Sequence, residues 1–222
     1  MNIILLFLFG ELIFWASVLI CFLMDKFLPD NFISKYKLHK LNKDNSNTID
    51  RLSFMKGYSL KTFGLVILNH IVSIPLFYLI NLYYNKFFSD PLPHFIYIYF
   101  QFLIMILYSD ILFHITHYLL HRKLLYKYIH KIHHKFKQPI GISSHYVHPI
   151  EFLLLLIPVL SAPVILKIHP LIFYIWIFVI IINNVFSHSG YMTKYHYLHH
   201  KKNYVNYGSN PLFDKFCGTF EK

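Results

Sequence analysis

Sixteen of the 222 residues are histidine, and 13 of those fall between positions 114 and 200. Their spacing says more than their number. His117 and His121 are four apart, His130, His133 and His134 form one His-x2-His-His run, and His196, His199 and His200 form another. On a helix, positions i, i+3 and i+4 share a face, so each run can aim two or three imidazoles into the same few ångströms. Eight neutral imidazoles converging from three helices make a metal site. A lone His-x3-His would be more ordinary as a satisfied core or interfacial pair, and a pH-sensing cluster is the other use for so many histidines. Between residues 114 and 200 the only acid is Glu151. That excludes the soluble four-carboxylate type of di-iron centre and favours a histidine-rich one.

Elements must hold these side chains, and the composition says which kind. The chain is 56% hydrophobic, 19% aromatic and 14% charged, with a mean hydropathy of +0.45. Soluble domains carry about 25% charged residues, so an ordinary water-soluble fold does not fit. The net charge of +11 reads in this setting as a marker of membrane sidedness, not as a nucleic-acid footprint. Cys21 and Cys217 offer neither a disulfide framework nor a thiolate metal site.

Crossing ~30 Å of hydrocarbon takes about 20 apolar residues. Runs of that kind extend from Ile3 to Met24, Leu60 to Leu82 and Phe95 to Phe113. The first lacks a basic leader and a small-residue cleavage site, so it reads as a retained span. The last apolar block, Ile150 to Ser187, is broken at Lys167-Ile168-His169-Pro170. Proline disfavours helix at its own position and just before it, which predicts a tight hairpin of two short spans or a re-entrant pair. The cluster Asn42 to Asn47 predicts a solvated loop. The expected fold is an all-α integral membrane protein of four to five transmembrane or re-entrant helices with a histidine-rich helical cap on the cytosolic face.

Five spans put segments 25–61, 114–149 and 188–222 on one side. Those segments hold eight, six and five Lys/Arg, which is 19 of 21, leaving Lys86 and Lys167 for the other side. Positive charge is retained in the cytoplasm during insertion, so the basic segments, and the histidines with them, are expected there.

The runs His117-Tyr-Leu-Leu-His121, Tyr126-Lys-Tyr-Ile-His-Lys-Ile-His-His134, Pro139-Ile-Gly-Ile-Ser-Ser-His-Tyr-Val-His-Pro-Ile-Glu151, His188-Ser-Gly-Tyr191, His196-Tyr-Leu-His-His200 and Asn206-Tyr-Gly208 to Asp214-Lys-Phe-Cys-Gly-Thr219 together resemble the fatty acid hydroxylase/sterol desaturase superfamily, nearest in look to its 4-methyl sterol oxidases. The resemblance covers about residues 110 to 219. It implies that His117, His121, His130, His133, His134, His188, His196, His199 and His200 hold a dinuclear, functionally di-iron centre, in which zinc can replace iron by mismetallation. It also makes His145 and His148 outer ligands or supporting residues. Asn184 precedes His188 by four, where some relatives carry a histidine, and so falls near one metal. Asp110 precedes His117 by seven, as in the family. With His114, His117 and His121 it forms an i, i+4, i+7, i+11 stripe, the geometry of a carboxylate that orients imidazoles through their second nitrogen. Two departures from the family stand out: Tyr118 occupies the place of an arginine, with Arg122 following His121, and the chain ends Phe220-Glu221-Lys222 without a dilysine.

The activity implied is insertion of oxygen into, or desaturation of, a lipid C–H bond, with a sterol ahead of a fatty-acyl chain as substrate. Electrons would come from cytochrome b5 or a ferredoxin-like donor, for which the basic loops are suited. The expected domain division is 1–109, N-terminal transmembrane helices, and 110–222, the catalytic part with its membrane hairpin. The expected location is a multi-pass integral membrane protein, of the endoplasmic reticulum in a eukaryote or the inner membrane in a bacterium. A histidine-rich metal transporter is the alternative of another class, but it would place its ligands near mid-bilayer, whereas these runs fall in basic segments outside the spans. Of the histidines outside the cluster, only His70, inside a span beside Asn69, has a functional reading, the lining of a substrate tunnel, beside the more ordinary one of a satisfied core histidine.

Overall fold

A computed structural model describes residues 3–37, 55–87 and 91–222. His39 and the expected loop Asn42 to Asn47 lie outside the described residues. Among the described residues the secondary structure is helical throughout. Helix α1 spans Ile3–Phe27, α2 Asp30–Tyr36, α3 Leu60–Phe87 and α4 Phe95–Leu120. After α5 at Lys123–Tyr128 come two 3-10 turns, His130–Lys135 and Gly141–His145. Then follow α6 at Pro149–Ile165, α7 at Pro170–Ser189, α8 at Lys194–Lys202 and α9 at Pro211–Cys217.

Four of these helices, α1, α3, α4 and α7, are long and apolar enough to cross a membrane. Each carries large apolar side chains on its outer face, among them Leu12, Leu79, Ile104 and Ile175, as lipid contact requires. Their inner faces meet in a core of Leu6, Tyr84, Met105, Phe173 and Trp176. The helix α6 has 17 residues, about 25 Å of rise, which falls short of the hydrocarbon thickness. The block was expected as two short spans or a re-entrant pair, but only α6 is short, because α7 continues for 20 residues and is long enough to cross. The turn passes through Lys167 in the left-handed region, φ 47°, and α7 restarts with His169 as its N-cap and Pro170 in its first turn.

Helix α6 contains Pro158 and Pro163, and proline removes the N–H that would satisfy the carbonyl four residues back. In an apolar setting that carbonyl needs another donor. Val159, four before Pro163, receives it from Trp176 Nε1 at 2.8 Å. Ser109 Oγ and Tyr84 Oη donate to the carbonyls of Pro158 and Pro163, at 2.8 and 2.9 Å. The Trp176 bond that repairs α6 thus fastens it to α7, and the Ser109 and Tyr84 bonds fasten it to α4 and α3.

Helix α4 runs seven residues past the expected end of its span at Phe113. His114, His117 and Leu120 are buried while Ile115, Tyr118 and Leu119 face outward. Helical periodicity thus continues after the apolar composition has changed, and it delivers the first histidines on a rigid element. The ends of α1, α4 and α7 and the start of α3 gather at one end of the bundle. Asp25, near the end of α1, is buried, pairs with Lys37 and accepts a 2.9 Å hydrogen bond from Tyr191, just after α7. Tyr58 and Met55, ahead of α3, pack against Phe136 and Ile140. The described parts of the three basic segments therefore share that end.

Candidate metal centre

Nine imidazoles sort into two groups at this end of the bundle. His117, His121, His130, His134 and His199 offer ring nitrogens all within 4.8 Å of one another, and so, separately, do His133, His188, His196 and His200. The groups adjoin, with the rings of His134 and His200 4.9 Å apart between centroids and those of His130 and His133 5.5 Å apart. Each His-x2-His-His run was expected to aim its imidazoles at one place, and here the structure differs. The first is wound as a 3-10 turn, sending His130 and His134 to the larger group and His133 to the smaller. On α8, His196 and His200 are one turn apart and face the smaller group, while His199 looks the other way. One short element thereby serves both groups.

Four of the nine donors are oriented through Nδ1. The Nδ1–H of His117 donates to Tyr207 O at 2.7 Å, that of His199 to Val205 O at 2.7 Å, and that of His188 to Asn184 O at 2.8 Å. His130 Nδ1 lies 2.6 Å from Glu151 Oε1. A neutral imidazole with its proton on Nδ1 has a bare lone pair on Nε2. Those lone pairs point at each other: His117 Nε2 and His130 Nε2 are 3.0 Å apart, and His130 Nε2 is 2.9 Å from both His121 and His134 Nε2. Lone pairs at that distance repel, and only a cation between them turns the arrangement into an attraction. Protons would serve poorly there. Burial, with the neighbouring imidazoles, pushes His121 and His134 down to about 2, and burial holds His130, His133, His196, His199 and His200 well below the ordinary histidine value. Neutral, converging imidazoles of this number fit borderline metal ions such as iron or zinc.

Glu151 is the carboxylate that supports the centre. It is fully buried, and its second oxygen, Oε2, has no protein partner among the described residues. The sequence marked it only as the lone acid in its region. Asp110 was the expected orienting carboxylate, and the structure assigns it differently. Its oxygens accept from the backbone N–H groups of Asn210 and Phe213 at 2.8 and 3.1 Å and from Ser209 Oγ at 3.3 Å. Asp110 thus caps the start of α9 from across the fold, because the first N–H groups of a helix lack internal partners.

The segment it anchors braces the larger group. Asp214 accepts from Tyr207 N at 2.9 Å, Gly208 N at 2.7 Å, Thr219 Oγ1 at 2.6 Å and the Tyr195 hydroxyl. Burial pushes its carboxyl up, but these donors outweigh burial and hold it below the usual range. Asn206 ties the segment to the chain's last residues through Glu221 and to Tyr195. The carbonyls of Val205 and Tyr207 are fixed as a result, and with them the rings of His199 and His117. His114 belongs to neither group; its Nδ1 lies 3.2 Å from Asp214 Oδ1. Arg122, near the rim, stacks over the Tyr118 ring at 4.6 Å.

The remaining candidates lie apart from the two groups. His145 Nδ1 meets His70 Nε2 at 2.8 Å. His148 is the N-cap of α6, its Nδ1 accepting from Ile150 N at 3.2 Å. Asn184 meets His188 through its main-chain carbonyl and also lines the apolar cavity beside it. This cavity leads from the spans to the histidines, lined by Phe7, Phe77, Phe113, Leu156 and Ile181 on one side and by His117, His133 and His188 at its end. His70 is on its wall.

Fold and site together define a helical membrane protein with a paired histidine centre at the mouth of an apolar cavity. Residues 102–219 match the fatty acid hydroxylase family, more than half of the chain, and the chain belongs to that family. It is 30% identical to human fatty acid hydroxylase domain-containing protein 2, over 94% of this chain and 63% of that protein. It is 28% identical to methylsterol monooxygenase 1 of Rattus norvegicus, over 95% of this chain and 76% of the relative. With the very-long-chain aldehyde decarbonylase GL1-11 of Oryza sativa subsp. indica it shares 31% identity over 83% of this chain and 66% of the relative. The chain therefore spans under two thirds of the human relative's length. No solved structure matches it.

Proposed function

We propose that the chain is a membrane-bound non-haem di-iron oxidoreductase that uses dioxygen to hydroxylate or desaturate a C–H bond of a lipid, with a sterol as substrate. The observation that carries this reading is the set of Nε2 lone pairs locked inward in two adjoining groups at the end of an apolar cavity. His117, His121, His130, His134 and His199 would hold one ion and His133, His188, His196 and His200 the other. Iron in such a nitrogen-rich setting activates dioxygen. The protein's own part is to orient the imidazoles through Tyr207, Val205, Asn184 and Glu151, to present one carbon of the lipid from the cavity, and to keep water from the oxidant with apolar walls. The sterol preference is supported by the similarity to methylsterol monooxygenase 1. An acidic electron carrier, cytochrome b5 or ferredoxin-like, suits the groove lined by Lys56, Lys61, Lys135 and Lys137. The excess of Lys/Arg supports placing this end in the cytoplasm, with residues 1–109 as membrane helices and 110–222 as the catalytic part.

Elemental analysis and turnover test the proposal. About two metal ions per chain are expected, and oxygen-dependent conversion of a membrane sterol that is lost in His133→Ala and in His199→Ala. Activity that persists without oxygen or in both variants would overturn the oxygenase reading. A changed fatty-acyl profile with unchanged sterols would overturn the substrate.

A further inference from the structure

Three side chains that the metal centre does not use form a hydrogen-bonded row along the cavity. Glu11 of α1 meets His70 of α3 at 2.9 Å, and His70 meets His145 at 2.8 Å. All three line the same cavity that reaches His133 and His188. Two of them sit within membrane spans, where ionisable groups are unfavourable without a partner or a task.

Fastening the 3-10 turn to the bundle is a task already performed by another residue. Asn69 Nδ2 donates to His145 O at 3.0 Å and to Val147 O at 2.9 Å, so this backbone is held without the imidazoles. The row instead fixes one nitrogen. Glu11 Oε2 already accepts from Trp15 Nε1 at 3.0 Å and accepts also from His70 Nδ1–H. With His70 neutral, its Nε2 is an acceptor and His145 Nδ1–H is its donor. What remains is His145 Nε2, a lone pair without a hydrogen bond among the described residues, on a ring that lines the cavity. Its ring is clamped flat on Phe14, with centroids 4.2 Å apart and planes 9° from parallel. Phe152 packs edge-on at 5.0 Å. A rigid acceptor in an apolar slot fits a ligand that is apolar along its length and bears one hydroxyl donor.

We propose that His145 Nε2, oriented through His70 by Glu11, receives the hydroxyl of the lipid bound in the cavity and so sets which carbon faces the metal centre; this rests on the lipid-oxidising reading above. The occupant is a hydroxyl-bearing lipid, a sterol or a long-chain alcohol, and an analogue with hydrogen in place of the hydroxyl leaves the acceptor unpaired.

The test is binding of two matched pairs to the metal-loaded full chain in detergent: cholesterol against 5-cholestene, and 1-hexadecanol against hexadecane. In at least one pair the alcohol is expected to bind about tenfold more tightly. His145→Phe keeps the stacking on Phe14 and removes the acceptor, and is expected to bind both members alike with unchanged metal content. Glu11→Gln retains an oxygen that can accept from His70 and is expected to keep the preference. Absence of a hydroxyl preference in both pairs, or its survival in His145→Phe, would overturn the proposal. Loss of metal in His145→Phe would overturn it as well, by placing His145 in the metal centre. Hydroxyl preference without any oxygen-dependent turnover would instead defeat the lipid-oxidising reading and leave this binding site standing.

Discussion

Glu151 shows how one buried side chain can orient an imidazole of the candidate metal centre. Its Oε1 fixes His130 Nδ1 at 2.6 Å, and His130 Nε2 lies within 3.0 Å of three other imidazole nitrogens. Turning this ring by a few tens of degrees would withdraw the ligand nearest the middle of the larger group. Glu151→Gln keeps the volume and one acceptor oxygen but replaces the carboxyl group that faces His130 Nδ1. Metal affinity at the larger group is expected to fall about 10- to 100-fold. Competition with a chelator, followed by metal analysis, measures it. Unchanged retention would show that His130 is held by packing alone.

The braces are an element-scale device, and Gly208 is where they are tightest. A Cβ there would lie 2.7 Å from Asn210 O, 2.8 Å from Asp110 Oδ1 and 2.9 Å from Asp214 Oδ2. All three are already engaged or fixed in the main chain, so the backbone of 205–208 would have to move. Val205 and Tyr207 orient His199 and His117, and both belong to the five-histidine group. Gly208→Ala is therefore expected to lose about one metal per chain, with the four-histidine group still loaded. Equal loss from both groups, read by metal analysis, would mean that the segment supports the fold as a whole.

The same scale shows what the sequence could express. Histidine spacing and apolar runs are periodic signals, and they located the histidine-bearing elements, three of the four long spans and the break at 167–170, but not that α7 is long enough to span. A main-chain carbonyl has no sequence signature, so Val205, Tyr207 and Asn184 could not be found as orienting groups. Asp110 lies on one helical stripe with His114 and His117, yet a stripe only says which way a side chain leaves its helix. The unsatisfied N–H groups at the start of α9 were nearer than any imidazole. The division of each histidine run between two groups depends on the 3-10 winding at 130–135 and on the placement of α8, both decided by tertiary packing.

For the whole molecule, the buried imidazoles make stability depend on pH. His121 and His134 are held at about 2 in the fold against an ordinary 6.5, first by burial. Above about 6.5 both folded and unfolded chains keep them neutral, and the stabilisation is fully present. As pH falls below that value the unfolded chain takes up protons that the fold refuses, and stability is progressively lost. The unfolding temperature of the metal-free protein in detergent is expected to drop steadily from pH 7 to pH 5. Metal release should follow the same direction, since protons compete for the same nitrogens. A flat profile would mean that the imidazoles are solvated in the metal-free state.

Sidedness is the other property of the whole chain, and it can be tested against the geometry. His130 and His199 belong to one group, so the loops beside them must lie on one side of the membrane whatever that side is. Lys137 and Lys201 are exposed near those histidines, and Lys167 is exposed at the α6–α7 turn. The distribution of 19 Lys/Arg against two further predicts that the histidine side is cytoplasmic. Single cysteines at 137, 201 and 167 in a Cys217→Ser background, probed with a membrane-impermeant thiol reagent on sealed vesicles, read both statements at once. Positions 137 and 201 are expected to label together from the cytoplasmic side, and 167 from the opposite side if the hairpin crosses. Labelling of 167 with the other two would make α6 and α7 a re-entrant pair. Opposite labelling of 137 and 201 would break the single centre itself.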